Sequence, residues 1–219
     1  MNPVCKRILT ALSTAALVVL AIVYAPLKVI TPVFCLLMAL AVFEYALLLK
    51  LKVPLLSVRG ALALVLGFLV ITGGLSALPA AAAGHGNLMM LYLIAIVKLS
   101  DMGGFAFGLS SAKLMKGGNH KLCPTVSPNK SWEGLFGSLL ASSLMSCAWI
   151  PYTQFSVGKA LCFGVAAALV GTFGDLVESK FKRWVGVKDS ATFMPAGLGG
   201  FLDMFDSLLF APAALLPFV

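Results

Sequence analysis

The sequence has 219 residues, of which 60% are apolar and only 11% are charged, against roughly 25% charged in an ordinary soluble domain. This composition excludes a soluble globular protein and is typical of an integral membrane protein. The net charge is +8, but the basic residues are spread over the loops between apolar stretches, so no nucleic-acid partner is expected. The five cysteines are scattered and form no CxxC pair, which argues against a disulfide framework or a cysteine metal site.

The apolar runs predict an all-α, polytopic membrane bundle of about seven transmembrane helices, because about 20 apolar residues cross the hydrocarbon core. We expect a single membrane domain, 1–219, in which residues 1–87 form scaffold helices and residues 88–219 carry the polar loops and the candidate site. The first run could also be a cleaved secretory signal, although the residues at its end make a poor cleavage site. The seven spans are expected at residues 8–24, 29–49, 61–78, 88–109, 134–151, 157–176 and 201–218.

The distribution of positive charge predicts the orientation. With a cytoplasmic amino terminus, thirteen of the sixteen Lys and Arg residues fall in cytoplasmic segments, as the positive-inside rule requires. The two long polar segments, residues 110–133 and 177–200, then face the same side. We therefore expect a multi-pass protein of a bacterial inner membrane with its polar site open to the cytoplasm.

Two of the first four predicted spans contain charged side chains, which are costly at membrane depth. Glu44 in the second span could be functional. Equally, because it lies near the end of its helix, it could reach toward the membrane surface or accept a hydrogen bond from another helix without a functional role. Lys98 and Asp101 in the fourth span are one helical turn apart and are expected to pair.

The carboxyl-terminal part of the chain holds most of the acidic residues: five of eight lie between residues 174 and 208. Helical spacing places four polar side chains on one face of the sixth helix, namely Asp175, Glu178, Ser179 and Lys182. The same spacing recurs in the predicted seventh helix with Asp203, Asp206 and Ser207.

Carboxylates beside glycines and a basic run suit a site that holds phosphate through hard divalent cations, because Mg²⁺ takes one or two carboxylates plus phosphate oxygens. Lys182, Arg183 and Lys188 would then bind phosphate oxygens. The structural alternative, that Lys and Arg partners simply neutralise the carboxylates, stays open. A second polar motif, residues 127–134, has the sequence SPNKSWEG; it offers Lys130 as a cation, but could equally be an ordinary interfacial loop.

Several motifs in this half of the chain resemble those of the CDP-diacylglycerol synthases, also called phosphatidate cytidylyltransferases. Residues 101–104 are similar to the family's D-x-G-A, residues 127–134 to its S-P-x-K-[ST]-x-E-G, and residues 174–178 to its G-D-L-x-E. The family's terminal signature is matched by Ser179-Lys180-Phe181-Lys182-Arg183, Lys188-Asp189-Ser190-Ala191, Pro195, Gly199-Gly200, Asp203 and Asp206. Two positions depart from it, since Leu198 replaces a histidine and Met204 replaces an arginine.

The resemblance implies that CTP and phosphatidic acid in the membrane react to give CDP-diacylglycerol and pyrophosphate, with Mg²⁺ as cofactor and a second ion that could be monovalent. It leaves a homodimer open. It implies metal binding by Asp175, Asp203 and Asp206, catalysis by Lys182, Arg183, Lys188 and Asp189, and substrate binding by Asp101, Ser127, Lys130, Glu133 and Ser179.

Three other readings remain open at this point. A related CTP-dependent lipid-alcohol (polyprenol) kinase would release CDP instead of pyrophosphate. A catalytically degraded homologue would keep the fold without turnover, with the two departures as the first suspects. A transporter or structural subunit would tend to place its ionisable groups near the bilayer midplane, whereas here most lie at the cytoplasmic ends of the predicted spans.

Overall fold

The structure is a computed structural model that describes residues 16–115, 118–187 and 200–218. Long helices dominate it, in the order expected from the apolar runs. Helix α1 is described over residues 16–24. The other principal helices are α2 (Leu27–Lys50), α3 (Val58–His85), α4 (Asn87–Leu114), α5 (Trp132–Ala148) and α7 (Val157–Val185), with the short helix α6 (Ile150–Thr153) before α7.

The prediction of a polytopic helical membrane protein is confirmed, but the count of seven spans is not. Within the described residues, four helices are long and apolar enough to cross a membrane: α2, α3, α4 and α7. The fifth predicted span is the 17-residue helix α5, which at about 1.5 Å per residue is shorter than the roughly 30 Å hydrocarbon core.

The seventh predicted span is not one helix. It divides into α8 (Phe201–Phe205), a 3₁₀ turn (Ser207–Leu209), α9 (Ala211–Leu215) and a second 3₁₀ turn (Leu216–Phe218). The break between α8 and the first turn has a local cause, since the Asp206 side chain accepts a hydrogen bond from the Ser207 N–H at 2.6 Å and so competes with helical bonding. Helix α9 then starts with a proline in its first turn, where the missing N–H costs nothing.

The polar segment before α5, expected as a loop, forms a small antiparallel hairpin of β1 (Lys121–Cys123) and β2 (Ser127–Ser131). Both strands are edges, so Pro128 removes no required ladder bond. The hairpin leads directly into α5, because the Ser131 side chain accepts a hydrogen bond from the Gly134 N–H at 3.1 Å and caps the helix.

Helices α4 and α5 approach each other closely through glycines. A methyl group on Gly103 would lie 2.6 Å from the Gly137 carbonyl oxygen, and one on Gly137 would lie 2.6 Å from the Gly103 carbonyl oxygen. This contact brings the Asp101 turn of α4 beside the hairpin. Deeper in the bundle, the fully buried Tyr92 shares a 2.7 Å hydrogen bond with Ser146, so its hydroxyl group is satisfied.

Candidate functional site

A polar cavity of about 280 Å³ lies where α4, the hairpin, α5 and α7 meet. Four residues predicted as site members from three separate motifs line it: Asp101, Ser127, Lys130 and Asp175. The hairpin of the first polar segment is therefore brought together with the Asp101 turn of α4 and with Asp175 near the carboxyl-terminal part of α7. The rest of the polar wall comes from Asn129, Ser131, Ser138 and Thr172. Asn129 and Ser131 belong to the motif of residues 127–134, whereas no sequence pattern pointed to Ser138 or Thr172.

The main ion pair of the cavity joins the hairpin to α7. Lys130 Nζ lies 2.9 Å from Asp175 Oδ2 and 3.3 Å from the Thr172 carbonyl oxygen. Both charged side chains are about one-fifth exposed, at 23% and 21%. The other carboxylate oxygen of Asp175, Oδ1, is buried without a hydrogen-bond partner among the described residues, which leaves it available to a ligand from the cavity.

A second set of contacts joins α4 to the segment after α8. Asp101 Oδ2 accepts a hydrogen bond from the Ser207 hydroxyl at 2.8 Å and lies 3.5 Å from Lys98 Nζ, so the predicted pairing of Lys98 with Asp101 is confirmed as a long contact. Lys98 Nζ also donates to the Met204 carbonyl oxygen at 3.1 Å and to Ser207 Oγ at 3.2 Å. Ser207, which is fully buried, was on the predicted polar face but was not predicted as a site residue.

Asp206 is close enough to Asp101 and Asp175 for their charges to interact. Its burial, followed by the Asp175 carboxylate, raises the pKa of Asp206 above its usual range. When all three carboxylates are ionised, the ammonium groups that contact Asp101 and Asp175 within the described part of the chain are those of Lys98 and Lys130. The group then carries an excess of negative charge, which favours a bound cation.

The carboxylates around the cavity fit a divalent cation that is also bound by phosphate. No group of three His, Cys, Asp or Glu side chains in the described part of the chain is arranged to hold a metal ion by itself. Mg²⁺, however, is usually held by one or two carboxylates and completes its shell with water and phosphate oxygens. The unpartnered oxygen of Asp175, next to the carboxylate of Asp206, fits that mode of binding.

Asp203 belongs to a different cluster. Lys182 Nζ lies 2.6 Å from Asp203 Oδ1 and 2.7 Å from Glu178 Oε2, with the lysine side chain only 12% exposed. The other oxygen of Asp203 accepts the Gly200 N–H at 3.0 Å. Burial opposes ionisation, but the Gly200 N–H and the Lys182 ammonium group hold the pKa of Asp203 well below its usual range. Lys182 therefore neutralises the carboxylates of Glu178 and Asp203, which is the structural alternative that the sequence left open for the acidic residues.

The other predicted site residues that the structure describes are not part of the cavity lining. Glu133, at the start of α5, accepts hydrogen bonds from the backbone N–H of His120 at 3.2 Å and lies 2.6 Å from its ring Nδ1. Ser179 is half-buried on α7. Arg183 is exposed, and its guanidinium group donates to the Val187 carbonyl oxygen at 3.1 Å, just beyond the end of its own helix. Two predicted site residues, Lys188 and Asp189, lie outside the described residues, and so do the other motif positions Ser190, Ala191, Pro195, Leu198 and Gly199.

Glu44, for which the sequence left open either a functional role or a hydrogen bond between helices, accepts such a hydrogen bond. It is fully buried, and its Oε2 accepts a hydrogen bond from the backbone N–H of Leu202 at 2.8 Å. The carboxylate therefore joins α2 to the start of α8, a contact 158 residues apart in sequence. Hydropathy alone could not identify this partner.

The fold and the cavity define a polytopic helical membrane protein with a charged site between α4, the hairpin, α5 and α7. The chain belongs to the cytidylyltransferase family, whose model matches residues 3–219. A phosphatidate cytidylyltransferase of Staphylococcus aureus (strain COL) is 45% identical to it over 123 residues, which are 55% of this chain and 45% of that protein. The enzyme of the same name from Staphylococcus haemolyticus (strain JCSC1435) is 42% identical over the same length and the same shares. The match thus spans about half the length of these curated relatives.

Proposed function

We propose that the protein is a phosphatidate cytidylyltransferase, which converts CTP and phosphatidic acid into CDP-diacylglycerol and pyrophosphate. The observation that carries the proposal is the convergence of Asp101, Ser127, Lys130 and Asp175, from three motifs of the family, on one cavity. The names of the relatives agree with it. The membrane is proposed to be a bacterial inner membrane, with the cavity open to the cytoplasm where CTP is found.

In the proposed reaction a phosphate oxygen of phosphatidic acid attacks the α-phosphorus of CTP. A new phosphorus–oxygen bond forms, the bond between the α-phosphorus and the bridging oxygen breaks, and pyrophosphate leaves with that electron pair. No general base is required, because a phosphate monoester is already ionised near neutral pH. The demands on the protein are to align two anions and to balance their charge.

Lys130 is the cation that we assign to the phosphate groups, since its ammonium group lines the cavity on the hairpin. Ser127 would add a hydroxyl donor from the same hairpin. Asp175 and Asp206 would hold a divalent cation, whose chemistry when bound is to neutralise phosphate oxygens. Asp203 could bind the same cation only after its ion pair with Lys182 is broken. We therefore assign Asp203 first to holding the start of α8 in place.

The test is pyrophosphate release by the purified protein in detergent with CTP, phosphatidic acid and Mg²⁺. Release that depends on the lipid and is lost in the Asp175→Asn variant would support the proposal. Lipid-dependent release of CDP would indicate the kinase, and absence of turnover with either lipid acids or lipid alcohols would indicate a degraded homologue. The Arg59→Gln variant, altered in an exposed side chain at the start of α3, serves as the control.

A further inference from the structure

The short helix α8 and the turn after it depend on side chains from other helices for their position. A five-residue helix has too few internal hydrogen bonds to be stable alone, and the N–H groups of its first turn have no partners within the helix. Asp203 takes the Gly200 N–H, and Glu44 on α2 takes the Leu202 N–H. The first intrahelical bond, from the Met204 N–H to the Gly200 carbonyl oxygen, is long at 3.2 Å.

Three helices each contribute one charged side chain to this segment. Glu44 from α2 holds its beginning, Lys182 from α7 binds Asp203 in its middle, and Lys98 from α4 binds the Met204 carbonyl oxygen at its end. Lys98 and Lys182 also contact acidic side chains of the site or its neighbouring cluster. Glu44 differs from them, because it comes from the amino-terminal scaffold and accepts a hydrogen bond from the backbone of α8.

The burial of Glu44 argues against an incidental contact. Its side chain is fully buried on a membrane-spanning helix, where a carboxylate is costly and is kept mainly for a purpose. A neutral apolar residue would pack at this depth at less cost. The contact fixes the first turn of α8, in which Asp203 directly follows Leu202, and Asp206 lies one turn beyond Leu202.

We infer that Glu44 is a positioning residue: its carboxylate fixes the amino-terminal turn of α8 and thereby sets the places of Asp203 and Asp206. The amino-terminal helices, which contain none of the polar motifs of residues 101–206, then take part in shaping the site. The kinetic consequence rests on the proposed function. The structural consequence, protection of the α8 backbone, does not.

The experiment compares three variants in the full chain. Glu44→Met removes the acceptor with little change in volume, whereas Glu44→Gln keeps an oxygen that can accept the Leu202 N–H. Tyr45→Phe is the matched control, since it deletes a hydrogen bond on the neighbouring residue of α2, from the Tyr45 hydroxyl to the Ala63 carbonyl oxygen, and leaves the Glu44–Leu202 hydrogen bond in place. Amide hydrogen exchange of residues 200–209 and kcat are measured on the folded fraction of each.

In Glu44→Met we expect exchange in residues 200–209 to be at least tenfold faster and kcat to be at least tenfold lower, with the Mg²⁺ concentration for half-maximal activity raised at least threefold. Glu44→Gln should stay within threefold of wild type in all three measurements, and Tyr45→Phe should do the same. Unchanged exchange in Glu44→Met would overturn the inference, whether or not the protein turns over CTP. Equal losses in Glu44→Gln and Glu44→Met would also overturn it, because the charge and not the hydrogen bond would then be what matters.

Discussion

Replacing Lys130 by methionine tests the assignment of the cavity most sharply. The substitution keeps the length of the side chain but removes an ammonium group that lies 2.9 Å from Asp175 and is 23% exposed. Loss of one charged hydrogen bond of this exposure should lower the free energy of unfolding by about 1.5 kcal/mol, the low end of the range for such bonds. The effect on turnover should be larger, because a preorganised charge that meets the phosphates contributes about 2.7 to 4 kcal/mol, or roughly 10² to 10³ in kcat/KM.

The assay is pyrophosphate release with phosphatidic acid in mixed micelles, with the melting temperature of each variant recorded in the same detergent. Lys121→Met is the control, since Lys121 is exposed on the same hairpin and does not line the cavity. The control should stay within threefold of wild type. A folded Lys130→Met protein with kcat/KM within threefold of wild type would refute the role given to this lysine.

Two further substitutions probe the neighbouring cluster and the contact between α7 and the last segment. Lys182→Met removes the cation that Glu178 and Asp203 share, so it should destabilise the protein by about 3 to 5 kcal/mol, measured as a lower melting temperature. Adding Glu178→Gln to the same chain should recover part of the lost stability. If the two substitutions instead lower stability additively, the shared ion pair is contradicted. Gly174→Ala places a methyl group 2.8 Å from the Asp206 carbonyl oxygen, so we expect a loss of stability of about 1 to 3 kcal/mol and at least a tenfold fall in kcat. Wild-type kcat in Gly174→Ala would show that the place of Asp206 is not critical.

The long helices could be predicted from the sequence because hydropathy is a local property. Apolar runs gave α2, α3, α4 and α7 to within several residues at their ends. The last segment could not be predicted in the same way, because its apolar composition resembles a span. What breaks it is local bonding by Asp206 and the position of Pro212, which hydropathy does not measure.

The candidate site was predicted in part. Helical spacing correctly placed Glu178 one turn from Lys182, but spacing gives only the face of a helix and not what packs against it. Asp175 and Glu178, predicted on one face, therefore take different partners, Lys130 and Lys182. The long-range contact of Glu44 with Leu202 required the tertiary structure.

The central claim is that the cavity transfers a cytidylyl group and not a terminal phosphate. The most direct measurement supplies CTP labelled at either the α-phosphorus or the γ-phosphorus, with phosphatidic acid and Mg²⁺, and follows the label into the lipid phase. We expect that only the α label enters the lipid and that the γ label leaves in pyrophosphate. Asp175→Asn should abolish both the transfer of the α label and the release of pyrophosphate. Transfer of the γ label to a lipid, or pyrophosphate release that does not need phosphatidic acid, would contradict it.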